Sequence, residues 1–313
     1  MLYETANAIA YAVTSFIAFS VGVFFLYIII KKSPLSIRSY RNNLINLTVW
    51  YLITIVTLGI LLQPIIELHD SLLCAKPVGL ASYLHSSLVY ASLFGTAISI
   101  INVACALWLG FLTKYVQLAH PNLSEWLHTT YGTVATVCFH VFATTIGCIG
   151  AYIFTFHGEV ESISDRVLFC FPIVMFWLCS AAATLTLLLF CFCIFTILSI
   201  RVLRSKRSVM SAKTYRLQML LTLNLVMLTV LPVVFEIAPI MLACAALYFN
   251  LSCANTIFSI STHLPFIEIV LSWSVTLGFV TPYRKAVTKM LRMSSSTSTV
   301  SVTSHSVNSS QQC

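Results

Sequence analysis

Uninterrupted apolar runs recur along this chain, and none of them alternates with polar positions. Each is at least as long as the roughly 18 residues that mark a membrane-crossing helix. Seven such runs stand out, at about Ala8–Ile30, Leu44–Ile66, Leu80–Leu112, Thr129–Phe156, Val167–Ile200, Leu217–Tyr248 and Ile257–Val280. A transmembrane β-barrel is excluded by this pattern, because its strands alternate apolar and polar residues over about ten positions. Continuous runs favour helices, which satisfy their own backbone hydrogen bonds in lipid. The predicted fold is an all-α membrane protein, a bundle of seven transmembrane helices. Residues 1–293 form the membrane domain, with a short helix at 283–293 after the last span. Residues 294–313, rich in Ser and Thr, form a tail expected to be disordered.

The charges orient the bundle. The breaks after spans one, three, five and seven hold 4, 1, 6 and 4 Lys or Arg residues, while the opposite breaks hold only Lys76 and Arg166. Six of the nine acids, Glu4, Glu67, Asp70, Glu159, Glu161 and Asp165, lie on that second side. Basic residues mark the cytosolic face, so the N-terminus is expected outside and the C-terminus in the cytosol. The first span is expected to serve as its own insertion signal, since no basic segment precedes it and no small-residue cleavage motif follows it.

Composition agrees. The chain is 59% hydrophobic and 8% charged, with a mean hydropathy of +0.94, whereas soluble domains carry about 25% charged residues. The net charge of +8 does not point to nucleic acid. The bases flank spans, where they set topology and meet anionic lipid, and no basic patch with interleaved aromatics is present. There is no internal repeat, which argues against a transporter. No Gly-rich phosphate loop, catalytic constellation or metal-ligand spacing occurs, so neither an enzyme nor a cofactor is expected.

Two carboxyls lie inside spans: Glu236 in span six and Glu268 in span seven. A charge there costs several kcal/mol, so each must face the bundle and hold a partner or a proton. They are candidates for a polar ligand pocket, or else hydrogen-bond a neighbouring helix. No span interior in this pattern contains a Lys or Arg to pair with them. His85 and His263 lie near the outer ends of spans three and seven and could contact ligand; His140 is the third embedded histidine. Lone histidines of this kind more often join helices. Pro232 and Pro239 bracket Glu236, so span six is expected to bend around that carboxyl.

Of eleven cysteines, three lie near the outer face: Cys74, Cys170 and Cys253. That face meets an oxidising compartment. Cys74–Cys170 is the favoured bridge, although three candidates leave one unpaired and the connectivity open. Asn250-Leu251-Ser252 is an outer glycosylation sequon close to the bilayer. On the inner face, Arg201, Arg204, Lys206, Arg207, Lys213 and Arg216 precede span six, and Arg284 and Lys285 follow span seven. They suit anionic headgroups and an acidic protein partner equally. Ala286, Val287, Met290 and Leu291 share one face of 283–293, as in a helix lying on the inner leaflet.

Span six opens with Leu217-Gln218 and carries Leu231-Pro232 and Pro239; span seven ends in Pro282-Tyr283-Arg284. With these motifs, and His263 in the last helix, the chain resembles the nematode serpentine chemoreceptors of the Str superfamily, including the Srh and Sri classes. It departs from rhodopsin-like receptors. Thr113-Lys114-Tyr115 stands where those carry Asp/Glu-Arg-Tyr, and span seven has no Asn-Pro-x-x-Tyr. The resemblance implies a G-protein-coupled chemosensory receptor for a small extracellular molecule such as an odorant or pheromone, signalling to a heterotrimeric G protein from the plasma membrane of a sensory cilium. The expected pocket lies among spans three, five, six and seven. The alternatives are a seven-helix ligand-gated channel subunit or a membrane transporter. The channel type has a cytosolic N-terminus, against the charge count.

Overall fold

In the computed structural model, residues 2–34, 37–69, 72–127, 129–156, 159–163, 166–172, 175–249, 251 and 253–297 are described. The elements in chain order are α1 (Leu2–Lys32), α2 (Arg38–Thr54), β1 (Pro64–His69), β2 (Leu72–Pro77), α3 (Leu80–Leu84), α4 (Ser86–Ala119), α5 (Pro121–Leu127) and α6 (Thr130–Phe156). They continue with β3 (Glu159–Ile163), β4 (Arg166–Pro172), α7 (Met175–Ser205), α8 (Ala212–Pro232), α9 (Ala238–Tyr248), α10 (Ala254–Phe279) and α11 (Thr281–Thr297). Asn250 and the tail from residue 298 lie outside the described residues. Ser294–Thr297, assigned to the tail by sequence, instead finish α11.

Among the described residues, six helices are long and apolar enough to cross a bilayer: Thr5–Lys32, Arg38–Leu62, Ser86–Ala119, Thr130–Tyr152, Ala212–Ala243 and Thr256–Phe279. The remaining segment of the sequence pattern is α7, a helix of 31 residues. Large side chains such as Phe16, Tyr131, Phe142 and Phe190 are exposed on the outside of the bundle. In water that surface would be costly; against lipid tails it is not.

Two spans change helical pitch. After α2 the chain winds as a π-helix from Ile55 to Leu62 and stops at Gln63, which adopts a left-handed φ of 42°. The Gln63 amide N–H donates to the Leu58 carbonyl at 2.8 Å, and its side-chain amide donates to the Gly59 carbonyl at 3.0 Å. Pro64 then has no N–H with which to continue the helix. In the second case α8 and α9 are joined by a π-helical turn, Val233–Ile237, between Pro232 and Pro239. A proline removes one i→i−4 hydrogen bond, and a wider turn accommodates the lost pairing. A π-helical turn therefore stands where the sequence predicts that span six bends around Glu236.

The interior is aromatic. Trp273 stacks on Phe25 at 5.8 Å and meets Tyr51 edge-on at 6.2 Å. Gly22 makes room for this: a Cβ there would come within 2.8 Å of both Leu52 and the indole of Trp273. A polar seam crosses α2, α4 and α6. Asn46 and His140 share a 2.9 Å hydrogen bond, His140 bonds the Asn102 carbonyl oxygen at 2.6 Å, and Asn102 donates to Thr144 at 3.1 Å. His140 thus joins helices, as a lone membrane histidine usually does.

One end of the bundle carries a sheet that the apolar pattern does not predict. Its order is β1-β2-β4-β3, all neighbours antiparallel. Pro64–Ile66, assigned to span two by its apolarity, belongs to β1; Val167–Pro172, assigned to span five, is β4. Glu67, Cys74, Cys170 and Glu159 form one register row across the four strands. Cys74 is 2% exposed and disulfide-bonded, whereas Cys253 is free and exposed. The Cys170 side chain lies outside what the structure describes.

Candidate functional site

A cavity of about 460 Å³ opens in the bundle beneath the sheet. That volume lies within the ordinary range for a small organic ligand, about 300–1,000 Å³. Tyr11 of α1, Tyr51 and Thr54 of α2, and Pro64 of β1 form part of its wall. Ile100, Val103, Ala104 and Leu107 of α4 and Phe192 of α7 form another part. Pro232, Glu236 and Ile240 come from the bent α8–α9 span, and Phe258, Ser261, Thr262 and Pro265 from α10. The expected spans three, five, six and seven all contribute. Spans one and two contribute as well, through Tyr11 and Tyr51, which sequence reasoning does not single out. A lone aromatic inside an apolar run carries no spacing signal.

Among the described lining residues Glu236 is the one acid, and none is Lys, Arg or His. Its place follows from local folding, because the π-helical turn between two prolines re-aims the side chain that an unbroken helix would present elsewhere. Glu268 lies behind the wall and is 0% exposed. The Ser272 hydroxyl donates to Glu268 Oε1 at 2.6 Å, one helical turn away. Glu268 Oε2 and the Tyr51 hydroxyl are buried as hydrogen-bonding neighbours of one another, without a close, well-aligned bond between them. Tyr51, Glu236 and Glu268 interact electrostatically as one group. The structure therefore brings the two sequence-predicted carboxyls together, and adds Tyr51.

The two histidine candidates go elsewhere. His263 does not line the cavity. Its Nε2 bonds the Asn7 side-chain oxygen at 2.8 Å, and its ring lies 4.2 Å from that of Tyr11. It ties α10 to α1. His85 is exposed and caps α4, its Nδ1 accepting the Ser87 backbone N–H at 3.2 Å. The break it makes separates α3 from α4, which the sequence pattern merges into one span.

The other end of the bundle is tied by polar contacts. The Asn224 amide donates to the Tyr40 hydroxyl at 2.5 Å and to Thr276 at 3.1 Å, joining α8 to α2 and α10. Asn43 donates to Thr113 at 2.5 Å. Lys114 is 4% exposed, and its ammonium donates to the Gln218 side-chain oxygen, joining α4 to α8. The sequence pattern ends span three at Leu112 and leaves Lys114 in a polar break. The helix instead runs to Ala119, so a helix interior does contain a lysine. It sits at the opposite end from the sheet and pairs with neither carboxyl.

Tyr283 of the Pro-Tyr-Arg motif is fully buried, with its hydroxyl 2.8 Å from that of Ser33. Burial pushes its phenol up, against the opposing effects of Ser33 and Arg41, so it stays neutral at physiological pH. Ala286 and Val287 pack against the bundle core, which turns part of the apolar face of α11 inward. Arg201, Arg204, Arg207, Lys213, Arg216, Arg284 and Lys285 are exposed around this end. Lys206 is half-buried and donates to the Leu118 carbonyl at 2.6 Å. It fastens α7 to α4, while Arg207 lies over the Tyr215 ring at 5.7 Å.

Among the described residues, no group of three or more His, Cys, Asp or Glu side chains could hold a metal ion. Comparison with curated proteins yields no match. A family model does match, the serpentine type seven-transmembrane G-protein-coupled chemoreceptor Srh, over residues 4–293. That stretch includes the carboxyl-bearing bend of span six and the Pro-Tyr-Arg close of span seven, and the chain belongs to the Srh family of serpentine chemoreceptors.

Proposed function

We propose that this chemoreceptor crosses the membrane seven times with its N-terminus outside, takes a small molecule into the cavity beneath the sheet, and signals to a heterotrimeric G protein at the basic end. The observation that carries the reading is the cavity itself. It is of ligand size, is walled by the bent span six, and lies at the opposite end from seven exposed bases. Cys170, directly opposite Cys74 in the sheet, is the inferred disulfide partner, closing the outer face over the bundle. Residence in the plasma membrane of a sensory cilium is part of the same reading, supported by membership of a chemoreceptor family.

The route from ligand to partner runs along span six. Glu236 lies 18 positions beyond Gln218, about 27 Å along a helix at 1.5 Å per residue. A ligand that seats against Glu236 and Ile240 biases the angle at the π-helical turn. The rigid part of α8 carries that change to its other end, where Asn224 and Gln218 meet α2, α10 and α4. The exposed arginines and lysines then meet an acidic protein surface. The span-one-to-α11 contact through Tyr283 keeps the rest of that end in place.

The test is an odorant screen on cells expressing the full chain with a promiscuous G protein. An active compound is expected to lose its response when the G protein is blocked. It is expected to lose it equally in Ala104→Trp, which fills the cavity from α4 while surface delivery stays normal. A ligand-evoked current that persists under G-protein blockade would establish the channel alternative instead.

A further inference from the structure

We infer that the cavity selects ligands carrying a protonated amine on an apolar body. The inference rests on the cavity being the ligand site and names the chemistry of what enters it. Three observations point the same way. The wall is apolar except for hydroxyls such as Thr54 and Ser261 and a single acid, Glu236. A second acid, Glu268, stands directly behind, fully buried, with the Tyr51 hydroxyl as a neighbour. Tyr51, on the wall and 3% exposed, holds a hydroxyl that neighbours Glu268 without a close, well-aligned bond to it. Loosely paired buried polar atoms keep capacity for a further hydrogen-bond partner.

An ammonium supplies what this arrangement lacks. Two carboxyls beside one cavity, with no Lys, Arg or His among the described lining residues, leave a seated cation without a competitor, and its charge favours the ionised form of Glu236. A cation seated against Glu236 pairs with its carboxylate and donates up to three hydrogen bonds, which carboxyl and phenol oxygens accept. A carboxylate ligand meets repulsion at the same place. A neutral alcohol of the same length fills the apolar part equally well and gains only an ordinary hydrogen bond. The apolar remainder, against Val103, Leu107 and Phe258, suits a hydrocarbon chain or ring. The preference for amine over alcohol therefore comes from the charge-assisted contact alone, worth about tenfold or more in affinity.

The experiment uses the full chain purified in phosphatidylcholine nanodiscs, with octylamine, octanol and octanoate as probes and empty discs subtracted. Octylamine is expected to bind about tenfold more tightly than octanol, and octanoate more weakly than either. In Glu236→Gln the ratio of amine to alcohol affinity falls towards one while octanol binding persists, which shows that the cavity is still formed. Glu268→Gln lowers the ratio in the same direction by a smaller factor. An amine that binds no better than the alcohol, whether both bind or neither does, overturns the inference. So does a preference that survives both Gln variants. The receptor reading is judged separately by G-protein activation in the same discs. Amine binding without any activation sinks signalling and leaves the site, whereas activation by octanol and octylamine alike does the reverse.

Discussion

Gln218→Leu is expected to destabilise the receptor by about 2–3 kcal/mol, and Lys114→Met in the same chain to recover most of the loss. The ammonium of Lys114 is nearly out of solvent, and its hydrogen bond goes to the Gln218 side-chain oxygen. Removing the acceptor leaves a buried donor unmet, which costs about 1–3 kcal/mol for a neutral group and more for a charged one. Removing both partners with side chains of similar shape avoids that cost. The double-mutant cycle therefore gives a coupling of at least about 1 kcal/mol, read from thermal unfolding of the purified protein. Additive effects would show that the contact contributes nothing.

The same contact has a functional side. It holds α4 to α8 at the end that carries the exposed bases. Freeing α8 there lowers the cost of the displacement a ligand must otherwise drive from Glu236. Basal G-protein activation is expected to rise several-fold in both single variants, with the ligand-evoked maximum preserved. Unchanged basal activity in both would mean that the α4–α8 contact plays no part in the transition.

Replacing Cys74 with Ser is expected to abolish most surface delivery. Cys74 is disulfide-bonded and almost fully buried in the sheet. Its antiparallel neighbour is Cys170, from a strand nearly a hundred positions later in the chain. A cross-link closing so long a loop stabilises by about 2–5 kcal/mol, comparable to much of the stability of an ordinary domain. Cys170→Ser should match Cys74→Ser, and the double variant should be no worse than either. Cys253→Ser should be delivered normally, since that thiol is free and exposed. Normal delivery of Cys170→Ser beside failure of Cys253→Ser would reassign the bridge.

What the sequence reveals about this molecule follows from which forces act locally. A helix in lipid needs only a long apolar run, so the six spanning helices found among the described residues each coincide with an apolar run, although several of their ends differ by five residues or more. The change of pitch at Glu236 is legible because proline acts on its own helix. The sheet is not, because Pro64–Ile66 and Val167–Pro172 are as apolar as any span. What makes them strands is a pairing between two distant loops. Lys114 reads as a loop residue because charge usually marks the water boundary. Its partner, Gln218, lies far along the chain. Glu236 and Glu268 are legible as candidates by their cost in lipid, but their meeting at Tyr51 depends on three different helices. His85 and His263 carry the same sequence signal as a ligand contact, and packing assigns them to a cap and a helix tie.

The account depends on which end of the bundle faces outward. Glycosylation mapping decides it: an acceptor site on a short extension is placed before Met1 in one version of the full chain and after Cys313 in another. The account predicts glycan on the first and none on the second. Glycan on the C-terminal extension, or on both, would put the cavity and the basic end on the wrong sides of the membrane and contradict the receptor mechanism.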